Sequence, residues 1–365
     1  MTSRPPVNYS PTVETEQPDE AETIQGLNKA FDVILERTSK DEGRALRAVH
    51  AKSHGTLLGE LTIDEGLPQE LAQGLFAKPG THKVVLRLST NAGDILPDSV
   101  SLPRGLAIKV LDVEGDRLAG ADGTTQDFVM VNGPVFQAKT ADKFLSNLKI
   151  LAGTTDRAEG AKVAVSAVLR AVATTLGAVG IESSAINSLG GAPNVEPLGE
   201  TYYSVTPFRY GDHIAKFSVK PIAPSMTALT GQIIDADGRD NAIRENVREE
   251  MQRIDAEWEF RVQLCRNLDR QPVEDPTVEW DEKEAPFLRV GVLRAHAQDS
   301  WQNEQVLQVE DEMRFSVWTG LAAHQPLGNI NRARRDTYRH SADFRAAFNR
   351  CPYREPSGDA PIAAE

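Results

Sequence analysis

The sequence predicts an α+β protein built on a closed antiparallel β-barrel of eight strands, with helices inserted between the strands and flanking them. The clearest strand signal is a strict alternation of apolar and polar residues over 256–265, the pattern of a half-buried antiparallel strand. Its apolar members are Trp258, Phe260, Val262 and Leu264. About eight strand-like segments occur in two groups, and eight strands are enough to close a barrel. The length of 365 residues, 40% of them hydrophobic and 25% charged, allows one large globular domain.

The individual elements follow in order along the chain. A first amphipathic helix is predicted by apolar residues at helical spacing, and its pattern fades over residues 40–43. Its apolar face consists of Ile24, Leu27, Ala30, Phe31, Ile34 and Leu35. Strands are predicted over residues 45–63, 84–90, 105–113, 127–132, 202–209, 213–221, 256–265 and 287–294. Helices are predicted over residues 140–151, 157–179, 240–253 and 330–348.

The two ends of the chain differ in composition from the middle. Residues 1–22 are rich in Pro, Thr and acidic residues, with too few apolar groups to offset the entropy of ordering. We therefore predict a flexible N-terminal arm over residues 1–22, one domain over residues 23–350 and a C-terminal tail over residues 351–365.

Charge and cysteine content exclude several classes of function. The chain has 40 Lys and Arg against 53 Asp and Glu, a formal net charge of -13, which disfavours nucleic acid as a partner. Cys265 and Cys351 lie far apart, without the spacing of a disulfide framework or a zinc site. The N-terminus also lacks a secretory pattern, so a cytoplasmic protein is expected. The apolar stretch over residues 163–181 contains Arg170 and many small residues, and therefore indicates a buried or interface helix and not a membrane span.

The predicted C-terminal helix presents a phenol between two guanidinium groups. At about 100° per residue, Arg334, Tyr338 and Arg345 project within about 40° of one another. A neighbouring guanidinium favours the phenolate, which is the form that binds ferric iron. An Arg-rich helix with a single Tyr is also typical of a solvated surface helix, so this pattern alone leaves both interpretations open.

A second candidate site is His50, at the start of the first predicted strand. A neutral imidazole on an apolar pocket wall can take a proton from one peroxide oxygen and return it to the other. A lone strand histidine is also typical of a core or surface residue whose hydrogen bonds are satisfied. His50 and His54 are close enough in sequence to share a strand face as metal ligands, but no third ligand follows at metal spacing.

Three segments of the sequence resemble distal-side motifs of the heme catalases. Residues 47–52, Arg-Ala-Val-His-Ala-Lys, resemble the R-x-x-H-A-K motif that carries the distal histidine of that family. Residues 85–90, Val-Leu-Arg-Leu-Ser-Thr, are similar to its V-R-F-S-T strand. Residues 102–109, Leu-Pro-Arg-Gly-Leu-Ala-Ile-Lys, resemble its D-P-R-G-F-A-V-K strand.

Two further patterns extend the resemblance toward the C-terminus. Phe128 and Phe136 keep the spacing of two phenylalanines in the distal wall of the catalases, and Arg334, Tyr338 and Arg345 match the proximal spacing R-x-x-x-Y-x-x-x-x-x-x-R. Because the motifs occur in the same chain order, the chain resembles the heme catalase superfamily, and within it the small catalase-like peroxidases.

The resemblance implies a catalase-like fold and a role for each matching residue. His50 would be the distal acid and base, and Ser89 would orient it. Tyr338 would be the axial tyrosinate ligand of the ferric iron of heme b, with Arg334 holding its phenolate. The heme propionates would contact Arg47, Arg87 and Arg345. The residues expected beside the porphyrin are Val49, Phe128 and Phe136.

Some positions depart from the family pattern. The distal asparagine of typical catalases falls at Gly123, and Gln126, Asp127 and Asn132 are the nearby candidates to replace it. The residue before the distal histidine is Val49, where the related enzymes that rearrange fatty-acid hydroperoxides carry Thr. The chain also ends soon after the proximal helix, as in the small peroxidases of the superfamily.

The function expected from the resemblance is a cytoplasmic heme peroxidase. It would reduce hydrogen peroxide or organic hydroperoxides with a small-molecule electron donor and have weak or no catalase activity. The alternatives are an enzyme of the allene oxide synthase type, a true catalase and a non-catalytic heme-binding protein. The superfamily commonly assembles through N-terminal arms, so a homo-oligomer is expected.

Overall fold

The computed structural model describes residues 4–154 and 193–358. Its centre is one antiparallel sheet, and its strands are β1 (Ser53–Ile63), β2 (Gly80–Thr90), β3 (Arg104–Val110), β4 (Gln126–Val131), β5 (Tyr202–Tyr203), β6 (Phe208–Tyr210), β7 (His213–Pro221), β8 (Ala256–Leu264) and β9 (Phe287–Ala295). The strand order is β5-β4-β3-β2-β1-β9-β8-β7, and pairing of β5 with β7 closes these eight strands into a barrel. Strand β6 forms a hairpin with β7 and pairs with its first residues, His213 to Ala215, whereas β5 pairs with Ser218 and Val219. The predicted α+β fold with an eight-stranded antiparallel barrel is confirmed.

Six α-helices are described around the barrel, namely α1 (Glu20–Asp41), α2 (Ala141–Thr154), α3 (Pro224–Thr227), α4 (Ala242–Met251), α5 (Asn303–Leu307) and α6 (Asn329–Asn349). A single π-helical turn, Gln308–Glu312, follows α5 directly. Helices α1, α2 and α6 form a separate apolar layer, in which Phe31 and Ile34 of α1 lie in one buried cluster with Leu145 of α2 and Ile330 of α6. This layer packs beside the barrel and bounds the candidate site.

The barrel interior is the main hydrophobic core. The apolar residues of the alternating pattern in β8 point into it, and Trp258, Phe260 and Val262 are at most 1% exposed. Aromatic rings fill the centre, with Phe128 and Phe260 4.8 Å apart between ring centroids and Phe128 and Phe217 4.9 Å apart. Side chains that face the barrel interior therefore pack against one another, because a close-packed core leaves no room for a ligand.

Two predicted strands are wrong in part. Strand β1 begins only at Ser53, so residues 45–52 are irregular, and His50 has a left-handed backbone with φ of 54°. Two backbone amides of this segment bond outside the sheet, since Ala48 donates to Ser341 Oγ and Ala51 donates to the Ala92 carbonyl. The strand predicted over residues 202–209 is likewise divided into β5 and β6, because Val205 between them also has a left-handed φ of 54°.

Other predicted elements are reproduced with shifted ends. The helix predicted over residues 140–151 is α2, the one over residues 240–253 is α4, and the C-terminal helix is α6. The helix predicted over residues 157–179 and the apolar segment over residues 163–181 lie outside the described residues. In the parts of the chain that are described, no helix is long and apolar enough to cross a membrane.

The predicted N-terminal arm contacts the rest of the protein. The backbone amides of Val7 and Tyr9 donate to the carbonyl oxygens of Cys265 and Asp212, at 2.8 and 2.7 Å. Farther along, Glu14 forms an ion pair with Arg332 of α6, and α1 already begins at Glu20. The division of the chain into arm, domain and tail stays a prediction.

Candidate functional site

A cavity that is partly open to solvent lies between strands β2 to β4 of the barrel and helices α1 and α6. Side chains from most of the predicted motifs line it, namely Arg47, Val49, His50, Arg87, Ser89, Tyr338 and Arg345. The chain therefore brings together, in one place, residues that are almost 300 positions apart in sequence.

His50 is held on one wall of the cavity by a serine and a glycine. Its Nδ1 lies 3.0 Å from Ser89 Oγ, which leaves Nε2 as the ring nitrogen for a ligand. A Cβ on Gly105 would lie 2.5 Å from His50 Cε1, so only glycine allows the ring to pack against strand β3. The left-handed backbone of His50 costs of order 1–3 kcal/mol, and these contacts maintain it.

The electrostatic surroundings keep the His50 imidazole neutral. Burial first, and then the positive charges of Arg87, Arg334 and Arg47, together lower the pKa of His50 to about 3. The ring is therefore unprotonated at neutral pH and free to accept a proton.

Tyr338 enters the cavity from helix α6 and is held by an arginine one turn earlier. Arg334 Nε and Nη2 both donate to Tyr338 Oη, at 3.1 and 3.0 Å. Arg334 Nη1 donates to Asn331 Oδ1 at 3.2 Å, which fixes the guanidinium on the helix. Two hydrogen bonds from one guanidinium therefore fix the position of the phenol oxygen.

The three arginines predicted to contact heme propionates lie together, but they surround a carboxylate that the sequence reasoning missed. Arg87 donates to Glu310 through Nε at 2.6 Å and Nη2 at 3.0 Å, and Arg47 donates to the same carboxylate. Arg345 Nη1 donates to the backbone carbonyl of Glu310 at 2.6 Å. Glu310 lies in an acidic run, and nothing in the sequence of that run distinguishes it from Asp311 and Glu312.

Two predicted phenylalanines are not in the cavity wall. Phe128 is 1% exposed and points into the barrel, while the next residue, Val129, lines the cavity, because successive side chains of a strand face opposite sides. Phe136 packs against Phe144 in the helical layer, with 5.4 Å between ring centroids. In this protein both phenylalanines therefore pack in the hydrophobic interior, Phe128 in the barrel and Phe136 in the helical layer. Phe31, which was predicted only as part of a helix face, does line the cavity.

No amide side chain lines the cavity in the described part of the chain. Gln126 Oε1 accepts a hydrogen bond from the backbone amide of Leu321, and Asn132 Oδ1 accepts one from that of Arg104. Asp127 is paired with the buried Lys109 at 2.7 Å. Gly123 lies against Glu355, away from His50. The polar groups near His50 are therefore Ser89 and the arginines.

A metal site formed by His50 and His54 is not supported. His54 is fully buried, and its Nε2 lies 2.6 Å from Thr90 Oγ1. Over residues 4–154 and 193–358, no group of three or more His, Cys, Asp or Glu side chains is arranged to bind a metal ion. Neither Cys265 nor Cys351 is in a disulfide in the described residues.

Comparisons with known proteins identify the fold. No protein-family model matches the sequence, and the comparison with curated proteins found no match. Catalase A from Saccharomyces cerevisiae is 17% identical with a TM-score of 0.60, over 85% of this chain and 62% of that one. A fungal catalase is 17% identical with a TM-score of 0.59, over 86% and 61% of the two chains. A bacterial catalase is 19% identical with a TM-score of 0.57, over 91% and 66%.

The protein therefore has the catalase fold, and the predicted resemblance is confirmed at the level of architecture. The chain spans less than two thirds of the length of the catalases to which it is similar.

Proposed function

We propose that the protein is a heme-dependent peroxidase that reduces hydrogen peroxide or organic hydroperoxides with electrons from a small-molecule donor. The observation that carries the proposal is the cavity in which an oriented neutral imidazole, His50, and an arginine-held phenol, Tyr338, share one space. This pairing supplies a proton carrier and an anionic iron ligand together.

The side chains around the cavity fit a ferric heme b. Tyr338 would bind the iron as a tyrosinate, and Arg334 would hold its charge. Arg47, Arg87 and Arg345 would bind the propionates, and Arg345 Nε is a buried donor with no hydrogen-bond partner in the described residues. Apolar groups, among them Val49 and Val129, line the remainder of the wall. When bound, the heme supplies the iron at which a peroxide is reduced.

The protein's own residues would handle the proton of the peroxide. His50 would accept the proton from one peroxide oxygen through Nε2 and donate it to the other oxygen, which then leaves as water or an alcohol. Ser89 would hold the ring in the required orientation through Nδ1. The arginines that lower the pKa of His50 would also prevent the ring from retaining the proton.

Catalase activity is the second candidate, because the proteins with the same fold are catalases. We place it second because the described cavity wall contains no amide side chain near His50. A hydroperoxide-rearranging enzyme is disfavoured by Val49, which lines the cavity where that branch carries Thr. A non-catalytic heme protein is disfavoured by the His50 and Ser89 pair, since storage of heme requires no proton carrier.

The experiment that tests the proposal is an optical and kinetic comparison on protein produced with ample heme. The spectrum is recorded before and after hydrogen peroxide, with donor oxidation and oxygen release measured in parallel. Donor oxidation with little oxygen supports the peroxidase, and vigorous oxygen release identifies a catalase. A heme-loaded protein with no response to peroxide, or no heme at all, overturns the proposal. With a lipid hydroperoxide, formation of an allene oxide without use of the donor identifies the rearranging enzyme.

We also propose that the protein is cytoplasmic and forms a homo-oligomer. The two free cysteines support a reducing compartment. Light scattering on the purified full chain tests the oligomer, and a monomeric mass would contradict it.

A further inference from the structure

The carboxylate of Glu310 accepts hydrogen bonds from two of the arginines that line the cavity. Its two carboxylate oxygens accept from Arg87 Nε and Nη2, and one of them also accepts from Arg47 Nη1. The side chain is 15% exposed and Arg87 is 2% exposed, so these charges are largely removed from water. An isolated charge in such a place would be costly, and paired charges with several hydrogen bonds are the usual solution.

The turn that carries Glu310 binds the arginines through its backbone as well. Arg47 Nη2 donates to the carbonyls of Val309 and Met313, at 2.9 and 3.2 Å, and Arg345 Nη2 donates to that of Met313 at 2.8 Å. The Gln308–Glu312 segment is π-helical, a geometry that frees carbonyl groups and is frequent at functional sites. Side chain and backbone of one turn thus hold the arginine cluster formed by Arg47, Arg87 and Arg345.

Without Glu310 this arginine cluster would consist of like charges alone. The guanidinium groups repel one another, and burial together with the charge of Arg87 lowers the pKa of Arg47. Burial would raise the pKa of Glu310, but Arg47 and Arg87 outweigh it and lower the pKa to about 2. Glu310 is therefore ionised at any physiological pH, and three positive charges with one negative charge leave the cluster at a formal +2.

We propose that Glu310 is the internal counter-ion of the arginine cluster: it stabilises the three arginines before a ligand binds and leaves a formal charge of +2, matched to a ligand with two carboxylates. This inference rests on the proposed heme function and adds a residue that selects the charge of the ligand. Glu310 would thus weaken the binding of each ligand carboxylate, but it would hold the three arginines in position before the ligand binds.

Loss of the Glu310 charge should then have two effects of opposite sign. The protein without ligand loses a buried counter-ion and becomes less stable. The arginine cluster rises to a formal +3 and binds a dicarboxylate more tightly relative to an uncharged analogue. A glutamate that served only to shape the turn would, on removal, weaken both ligands to the same degree.

The test compares Glu310→Gln with Asp311→Asn in the same turn. Asp311 pairs with Arg44, whose side chain is 40% exposed, so its substitution removes one negative charge from the same turn while the hydrogen bonds between Glu310 and the arginine cluster remain. Hemin and hemin dimethyl ester are titrated into the heme-free form of each protein, and urea unfolding of that form is measured. We expect Glu310→Gln to lower the unfolding midpoint and to raise the hemin-to-ester affinity ratio about tenfold. Asp311→Asn should leave the hemin-to-ester affinity ratio within twofold of the wild-type value and should lower the unfolding midpoint less than Glu310→Gln does.

The outcomes separate this inference from the function on which it rests. Wild-type protein that binds no hemin overturns both. Hemin binding by the wild type with an unchanged or lowered ratio in Glu310→Gln overturns the counter-ion role alone. If Glu310→Gln does not fold, the double variant Glu310→Gln/Arg47→Gln, which returns the cluster to +2, should fold and show a cooperative unfolding transition in urea. Failure of this double variant to recover stability also overturns the inference.

Discussion

His50 and His324 both lie inside the protein with lowered pKa values, about 3 and about 4, but their surroundings differ. His324 is fully buried among aromatic rings of the barrel, with Tyr210 at 5.5 Å and Phe217 at 5.8 Å between ring centroids. Its Nε2 accepts a hydrogen bond from the Leu75 amide at 2.9 Å. His50 instead faces a cavity, beside a serine and three arginines. Burial and a lowered pKa therefore do not distinguish the two histidines; the open space and the charged partners beside His50 do.

The largest effect should come from His50→Ala in the heme-loaded protein. We expect the rate of its reaction with peroxide to fall about 100-fold or more, which is the scale of general acid-base catalysis, while heme is retained. Stopped-flow absorbance measures the rate. His296→Ala, at a histidine that is 84% exposed, is the control and should react like the wild type. A wild-type rate in His50→Ala would remove His50 from the reaction.

His324→Ala should act on stability in place of the reaction. Removal of the ring leaves a cavity between aromatic side chains and an unpaired Leu75 amide, which together cost about 3 kcal/mol of unfolding free energy. Urea unfolding measures this loss. The peroxide rate per bound heme should stay within twofold of the wild type, and a large loss of rate at full heme content would erase the contrast between the two histidines.

Tyr338→Phe should weaken heme retention while the barrel still folds, since only one ligand atom is removed. We expect the hemin affinity to fall about tenfold, or ~1.4 kcal/mol, because the propionate contacts remain. Absorbance titration measures the affinity. Tyr9→Phe is the matched control, because Tyr9 stacks on Arg209 outside the cavity and its ring is kept. Equal hemin affinity in Tyr338→Phe and the wild type would argue against iron ligation by this phenol.

The smallest expected effect is that of pH on the peroxide reaction. Because the pKa of His50 is lowered to about 3, the imidazole stays unprotonated from pH 8 to pH 5, and the rate should be constant over that range. The rate is measured in buffers of constant ionic strength. A decrease to half near pH 6.5, the ordinary value for histidine, would show that the arginines and burial do not hold His50 neutral.

Several parts of the site were predictable because they depend on short-range spacing. The distance along one helix places Arg334 one turn from Tyr338, and the hydrogen bonds between them follow from that spacing. The alternation in β8 likewise predicted which side chains fill the barrel. The prediction was wrong at residues 45–52, because their amides bond to α6 and a loop and not to a neighbouring strand.

The sequence by itself thus determined the barrel strands, the faces of the helices and the pairs of residues within one element, since local periodicity decides which side chains share a face. Only the tertiary structure decided that Phe128 faces the core and that Glu310 meets the arginine cluster. Glu310 is 263 residues from Arg47 and 223 from Arg87 along the chain. Contacts over such separations depend on how whole elements pack, because a local pattern contains no information about the partner that a side chain meets from another part of the chain.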